Sequence, residues 1–291
     1  MRQWLACSPV QPARATTPDG VAVALHDLGG DGPPALLVHA TGFHAHVLGP
    51  LARGLGARLH CLALDLRGHG ESGVPPDLDF DWVGFGTDVL TAVDSFGLEG
   101  PLGIGHSCGG TALLLAEEAR PGTFSALYCF EPVVFGSDDP LASKASEALA
   151  RGARQRREVF ASREEAYANY ASKPPLNVLH PEALAAYVEF GFEDLPDGCV
   201  RLRCRRENEA LMYENGLRHP AFSRLAAVGC PVVLACGAET NSFGPAALKP
   251  LEARLADARL EVVPGLGHFG PLEQPSVVAS SVIRTLDPPP A

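Results

Sequence analysis

The chain has 291 residues, 46% of them hydrophobic and 20% charged, a composition that excludes wholesale disorder. Its formal charge of −11 argues against a nucleic-acid or anionic-membrane partner held by general electrostatics. No apolar run approaches the roughly 20 residues that would span a bilayer.

Residues 1–9 lack the apolar stretch of a secretory signal, so a cytoplasmic location is expected. Cys61, Cys129 and Cys236 lie inside apolar runs and no CxxC occurs, which predicts reduced thiols without a metal framework. Residues 21–25 follow the turn signal Pro18-Asp19-Gly20 and read as the second arm of a hairpin. Short apolar runs without alternation follow at 35–38, 61–64, 102–104, 126–130, 232–235 and 260–263, the pattern of strands buried on both faces. Helical spacing lies between them at 47–55, 82–96, 111–119 and 246–255, with a last helix ending near Leu286. These repeated βα units predict an α/β fold with a doubly wound, mostly parallel sheet and a site outside the carboxyl ends of its strands.

The rhythm breaks in the middle. Residues 142–160 read as a helix with a charged face (Arg151, Arg154, Arg156, Arg157, Glu158), followed by helical stretches at 164–171 and 181–190. The expected organisation is a core in two parts, 1–136 and 227–291, interrupted by a helical cap at 137–226 that closes a pocket. Arg201, Arg203, Arg205 and Arg206 alternate in part and read as a solvated strand face, with attraction of an anionic substrate as the alternative. An apolar cap helix could equally cover the pocket or meet a second copy in a homodimer. The Pro-rich tail from 288 to 291 reads as frayed.

The chemistry concentrates in Gly105-His106-Ser107-Cys108-Gly109, a G-x-S-x-G between an apolar strand and a helix-forming run. A serine at so sharp a turn needs small residues two before and two after it, and the helix that follows aims its amides and positive dipole at a developing anion. Together with His39-Ala40-Thr41-Gly42-Phe43, Asp65 to Ser72 and Gly265-Leu266-Gly267-His268-Phe269, this motif makes the chain resemble the α/β-hydrolase superfamily, in its capped serine hydrolase branch, over nearly the whole length. The resemblance implies Ser107 as nucleophile, His268 as general base and acid, and the backbone amides of Thr41 and Cys108 as the oxyanion hole. Ala40 stands where that family usually has glycine. His39, His69 and His106 fall in family motifs where histidine is structural, and His44 and His46 read as surface loop, with the pocket entrance as the alternative.

The orienting acid stays open between two residues. At the family's usual acid position the chain has Thr240, within Gly237-Ala238-Glu239-Thr240-Asn241. Glu131, which ends the strand after the nucleophile's helix, is the favoured candidate because some branches carry the acid there; Glu239, one residue off the usual site, is the alternative. A serine cannot form the alkyl-ester intermediate of dehalogenases and epoxide hydrolases. The expected activity is therefore hydrolysis of a carboxylic ester or lactone through an acyl-enzyme, on a small and largely apolar substrate. The same residues also serve C–C cleavage of a β-diketone and peracid formation without a cofactor, and a ligand-binding receptor is the reading from another class. No dinucleotide fingerprint or metal-binding histidine grouping occurs, so no cofactor and no metal are expected.

Overall fold

A computed structural model describes residues 11–135 and 140–286; the readings made for 1–9, for the cap boundary at 136–137 and for the tail from 288 lie outside the described residues. The strands are β1 (Ala13–Thr16), β2 (Ala22–Gly29), β3 (Pro34–Val38), β4 (His60–Asp65), β5 (Leu102–His106), β6 (Ala126–Phe130), β7 (Val159–Phe160), β8 (Phe192–Asp194), β9 (Val200–Leu202), β10 (Val232–Gly237) and β11 (Ala258–Val263). The helices are α1 (Gly49–Leu55), α2 (Trp82–Ser95), α3 (Cys108–Ala119), α4 (Pro140–Gln155), α5 (Arg163–Ala171), α6 (Pro181–Phe190), α7 (Arg206–Asn215), α8 (Ala221–Arg224), α9 (Pro245–Glu252), α10 (Gly270–Glu273) and α11 (Pro275–Leu286).

The main sheet has the order β1-β2-β4-β3-β5-β6-β10-β11. β2 runs antiparallel to its neighbours β1 and β4, and the strands from β4 to β11 pair in parallel. Consecutive residues feed opposite cores, which is why the strands show no alternation. Leu37 packs with Leu51 and Leu55 of α1 and Val278 and Val282 of α11, while Leu36 packs with Phe85 of α2, Leu113 of α3 and Leu248 of α9. Each such fully buried side chain contributes about 1.5–3 kcal/mol. At the start of α2, Asp81 accepts from the Val83 amide at 3.1 Å and satisfies one of the amides that a helix N-terminus leaves unpaired.

The chain leaves the sheet after β6 and rejoins it at β10. The intervening segment holds α4 to α8, but it is not purely helical: β7, β9 and β8 form a three-stranded antiparallel sheet. The expected helix over 142–160 stops at Gln155, and Val159–Phe160 pairs with Val200 and Arg201. Strands of two or three residues are too short to show a period of two. Arg201 of β9 and Arg205, just before α7, both bind Glu193 of β8, at 2.7 and 2.6 Å. The Trp82 indole donates to the Met212 carbonyl at 2.9 Å and stacks on His219, tying α2 to α7 and the loop beyond it.

Cys61, Cys108, Cys129, Cys199, Cys204, Cys230 and Cys236 are free thiols. Among the described residues no helix is long and apolar enough to cross a membrane.

Candidate active site

Parallel pairing sets the geometry of the site. His106 lies opposite Phe130 in the β5–β6 register, so Ser107 and Glu131 leave adjacent strand ends side by side, and the Ser107 amide donates to the Phe130 carbonyl at 2.9 Å. Ser107 has φ 54° and ψ −118°, a conformation that an L-residue holds only when its surroundings impose it. Those surroundings are tight. A Cβ on Gly105 would lie 2.5 Å from the Gly110 amide, and one on Gly109 would lie 2.3 Å from the Val38 carbonyl. The glycines on either side of Ser107 are thus required by close approach of backbone, as the G-x-S-x-G spacing implies.

Glu131 also has positive φ, 47°, and its side chain is fully buried. His268 Nδ1 donates to Glu131 Oε2 at 2.7 Å. The same carboxylate accepts from the Gly237 amide at 3.1 Å, the Thr240 hydroxyl at 2.9 Å and the Phe243 amide at 3.3 Å. Burial pushes its pKa up, but the hydrogen bond and charge of His268, with the Gly237 and Thr240 donors, outweigh this and hold it below the ordinary carboxylate value. Glu239 is exposed; its amide bonds the Leu266 carbonyl at 2.9 Å, and Glu131, not Glu239, is the carboxylate against His268. Thr240, at the position where the family usually carries an acid, donates its hydroxyl to Glu131 beyond the neighbouring strand β6. His106 Nε2 bonds the His268 carbonyl at 2.9 Å and steadies that loop from below.

The loop holding Thr41 lies beside the elbow, because β3 and β5 are neighbours, with Val38 opposite Gly105. The Cys108 thiol donates to the His39 carbonyl at 3.5 Å, and burial pushes its pKa up to about 12, which favours the neutral thiol beside Ser107. Leu78, Ser107 and Glu131 are the described non-glycine residues with positive φ, so Ala40 keeps ordinary backbone and Gly42 takes the φ of 80°. His39 Nε2 accepts from the Leu66 amide at 3.1 Å and Nδ1 donates to the Ala40 carbonyl at 2.8 Å; His69 likewise accepts from Gly42 at 3.0 Å and donates to the Arg67 carbonyl at 3.0 Å. His44 and His46, expected on the surface, instead pack inward, stacked on Tyr187 and Phe190. His44 is 2% exposed, since the loop folds under α6.

These histidines give the fold a defined acid response. Burial lowers His39 to about 4 and His69 to about 3 from the ordinary 6.5. Both are neutral in the folded chain and protonate on unfolding, so the unfolded state binds more protons below about pH 6.5. Stability therefore falls as pH drops from about 6.5 toward 4. Thermal unfolding followed across that window should show Tm declining throughout; a Tm constant down to about pH 4.5 would contradict this account.

Ser107, His268, Thr41 and Gly42 line one cavity of about 810 Å³. Its far wall comes from α4 to α7, and it is not wholly apolar: Arg156, Glu209, Tyr170 and Tyr187 face it. None of these was singled out in the sequence for the site. Arg156 was grouped with the charged face of the helix, and only the early end of α4 frees it to turn inward. Among the described residues, no cluster of histidine, cysteine and carboxylate side chains is arranged to hold a metal ion.

Comparison with known proteins places this geometry. The chain is 22% identical to 2-(acetamidomethylene)succinate hydrolase of Mesorhizobium japonicum over 259 residues, 89% of each chain. The crystal structure of E-2-(acetamidomethylene)succinate hydrolase superposes with a TM-score of 0.81 at 20% identity, covering 95% of this chain and 99% of that one. A thermophilic esterase from Thermogutta terrifontis superposes with a TM-score of 0.71 at 21% identity, covering 97% and 98%. At such identities the structural likeness speaks for the fold alone. The profile of the alpha/beta hydrolase family matches residues 35–281. With that match spanning the sheet from β3 to β11 and the serine elbow beyond β5, the chain belongs to the alpha/beta hydrolase family.

Proposed function

We propose that the protein is a serine hydrolase that cleaves a carboxylic ester or lactone of a small molecule through an acyl-enzyme on Ser107. The observation that carries this reading is the 2.7 Å bond from His268 Nδ1 to the buried Glu131, on a histidine that shares its cavity with Ser107. With Nδ1 bound to a carboxylate, Nε2 is the nitrogen free to take a proton, and the imidazolium that results is stabilised by Glu131. His268 removes the Ser107 proton as the oxygen adds to the substrate carbonyl. The tetrahedral oxyanion is met by the amides of Thr41 and Cys108, the second at the N-terminus of α3. Collapse expels the alcohol, which takes the proton from His268, and water then repeats the steps on the acyl-enzyme.

A second reading, hydrolysis of an acyl–nitrogen bond by the same steps, draws on the relative named for 2-(acetamidomethylene)succinate. Covalent labelling of Ser107 by a fluorophosphonate, with p-nitrophenol released from short-chain esters, tests the hydrolase reading. Comparing a p-nitrophenyl ester with the matching p-nitroanilide separates the two bonds. Failure of both labelling and turnover would favour a ligand-binding protein.

Thr240 should act through Glu131. Thr240→Val deletes a hydrogen bond to a carboxylate, worth about 1.5–3 kcal/mol, so kcat should fall roughly 10-fold or more with KM little altered. The carboxylate, less stabilised as an anion, should also lose its proton at higher pH, moving the acid limb of the pH–rate profile upward. An unchanged profile would remove Thr240 from this role.

A further inference from the structure

The steps above make no use of the charged pair in the cavity wall. Arg156, one residue past α4, donates through Nη1 to Glu209 Oε2 on α7 at 2.5 Å and through Nη2 to the Tyr187 hydroxyl on α6. The Arg156 side chain is 22% exposed and that of Glu209 6%, and both line the cavity that holds Ser107 and His268. The pair stands against the loop that carries Thr41: a Cβ on Gly42 would lie 2.7 Å from Glu209 Oε1 and 3.4 Å from Arg156 Nη1. A polar anchor therefore adjoins the amides proposed to bind the oxyanion.

The hydrogen-bond inventory of this wall is unbalanced toward donors. The Tyr170 hydroxyl is buried, on a residue 9% exposed, and its polar neighbour is the Arg156 guanidinium, which can give it an N–H but cannot accept its proton. Its ring lies 5.4 Å from that of Tyr187, and Arg156 Cζ lies 5.9 Å from its centroid. The Tyr187 hydroxyl receives an N–H from Arg156, so its own proton remains to be given away. The guanidinium likewise has more N–H groups than Glu209 and Tyr187 take up. Glu209 is the acceptor in place, and it is already engaged. Buried donors without an acceptor are costly, and a ligand oxygen that accepts from all three relieves them. The other cations of the wall are held at its exposed rim, Arg157 by Glu165 at 2.6 Å and Lys173 by Asn169 at 2.7 Å.

We propose that Arg156, Tyr170 and Tyr187 form a carboxylate subsite, so that the substrate is an acyl compound bearing a second, free carboxylate, such as a half-ester of a dicarboxylic acid. This rests on the hydrolytic reading of Ser107 and replaces the expectation of a largely apolar substrate. A carboxylate offers two oxygens with lone pairs for every donor and a charge that the guanidinium complements, where a hydroxyl or neutral carbonyl offers one oxygen and no charge. Glu209 offsets the charge of Arg156 and holds its fork in place, which preorganises the subsite.

The test compares mono-p-nitrophenyl adipate with its neutral isostere p-nitrophenyl 6-methylheptanoate on the full chain. The wild-type protein should favour the charged ester by about 30-fold or more in kcat/KM. Arg156→Gln should cost the charged ester about 100-fold and the neutral one no more than about 3-fold. Tyr170→Phe removes a hydroxyl whose polar neighbour is the Arg156 guanidinium and leaves the ring packing in place; the charged ester should lose about 10-fold, mostly in KM, and the neutral ester at most about 2-fold. Fluorophosphonate labelling of Ser107 in each variant reports an intact site. Preference for the neutral ester, or equal losses for both esters in the two variants, with Ser107 still labelled, overturns the subsite and leaves the hydrolase reading standing. Absence of labelling in the wild-type protein overturns both.

Discussion

Ser107→Ala should lower kcat/KM on any ester the protein turns over by about 10⁴- to 10⁶-fold and abolish covalent labelling by a fluorophosphonate. The substitution is informative because it keeps the Cβ. The strained backbone at φ 54° and the close packing of Gly105 and Gly109 are untouched, so the loss reports on the hydroxyl oxygen and not on the turn. The neighbouring Cys108 cannot substitute for it, since its thiol is buried, directed to the His39 carbonyl and held in its protonated form. Residual activity should reflect the amides and substrate binding alone. A variant retaining a tenth of wild-type turnover would remove Ser107 from the mechanism.

Glu131→Gln should reduce kcat by about 10⁴-fold, the order expected when the wrong histidine tautomer is imposed. The reason lies in what surrounds the carboxylate. Gly237 donates to Oε1, while Thr240, Phe243 and His268 all converge on Oε2. An amide brings one oxygen and one NH₂ to four donors. If the NH₂ takes the Oε2 position it meets His268 Nδ1 as a donor, forces the proton to Nε2 and removes the base. If it takes the Oε1 position it faces the Gly237 amide with no acceptor between them. The change also bears on stability: a carboxylate with lowered pKa stabilises the fold above its unfolded pKa, and that contribution is lost as pH falls through the folded value. Glu131→Gln should therefore be less stable at neutral pH, with the difference from wild type closing in acid. Glu239→Gln, on an exposed side chain, should keep kcat within about 2-fold. Near wild-type turnover of Glu131→Gln would defeat the assignment.

Most of the sheet could be read along the chain. The runs at 35–38, 61–64 and 126–130 lie within or coincide with β3, β4 and β6, because a strand buried on both faces declares itself in a few consecutive apolar residues. The hairpin of β1 and β2 follows from Pro18-Asp19-Gly20 in the same way. The cap was harder. Its helices were visible by spacing, but β7, β8 and β9 are too short to carry a period. Residues 156–158 continue the charged pattern of α4 while the backbone has already left the helix. Arg156 was thus grouped with the charged face of a helix when it lies at the cavity wall.

What the amino-acid sequence determined by itself is local: where strands and helices fall, and that Ser107 sits between two glycines at a strand-to-helix turn. Those features depend on φ and ψ preferences and on burial of neighbouring side chains, which act over a few residues. What the tertiary structure decided is which distant groups meet. Glu131 and Glu239 are both carboxylates at strand ends, and nothing in their immediate neighbours separates them. The order β5-β6-β10-β11 brings Glu131 beneath the loop of His268 and turns Glu239 to solvent, and the packing of the segment between β6 and β10 sets Arg156 against Glu209 beside Gly42. Contacts across so many residues are set by strand order and by where that segment packs, and those are properties of the packed whole.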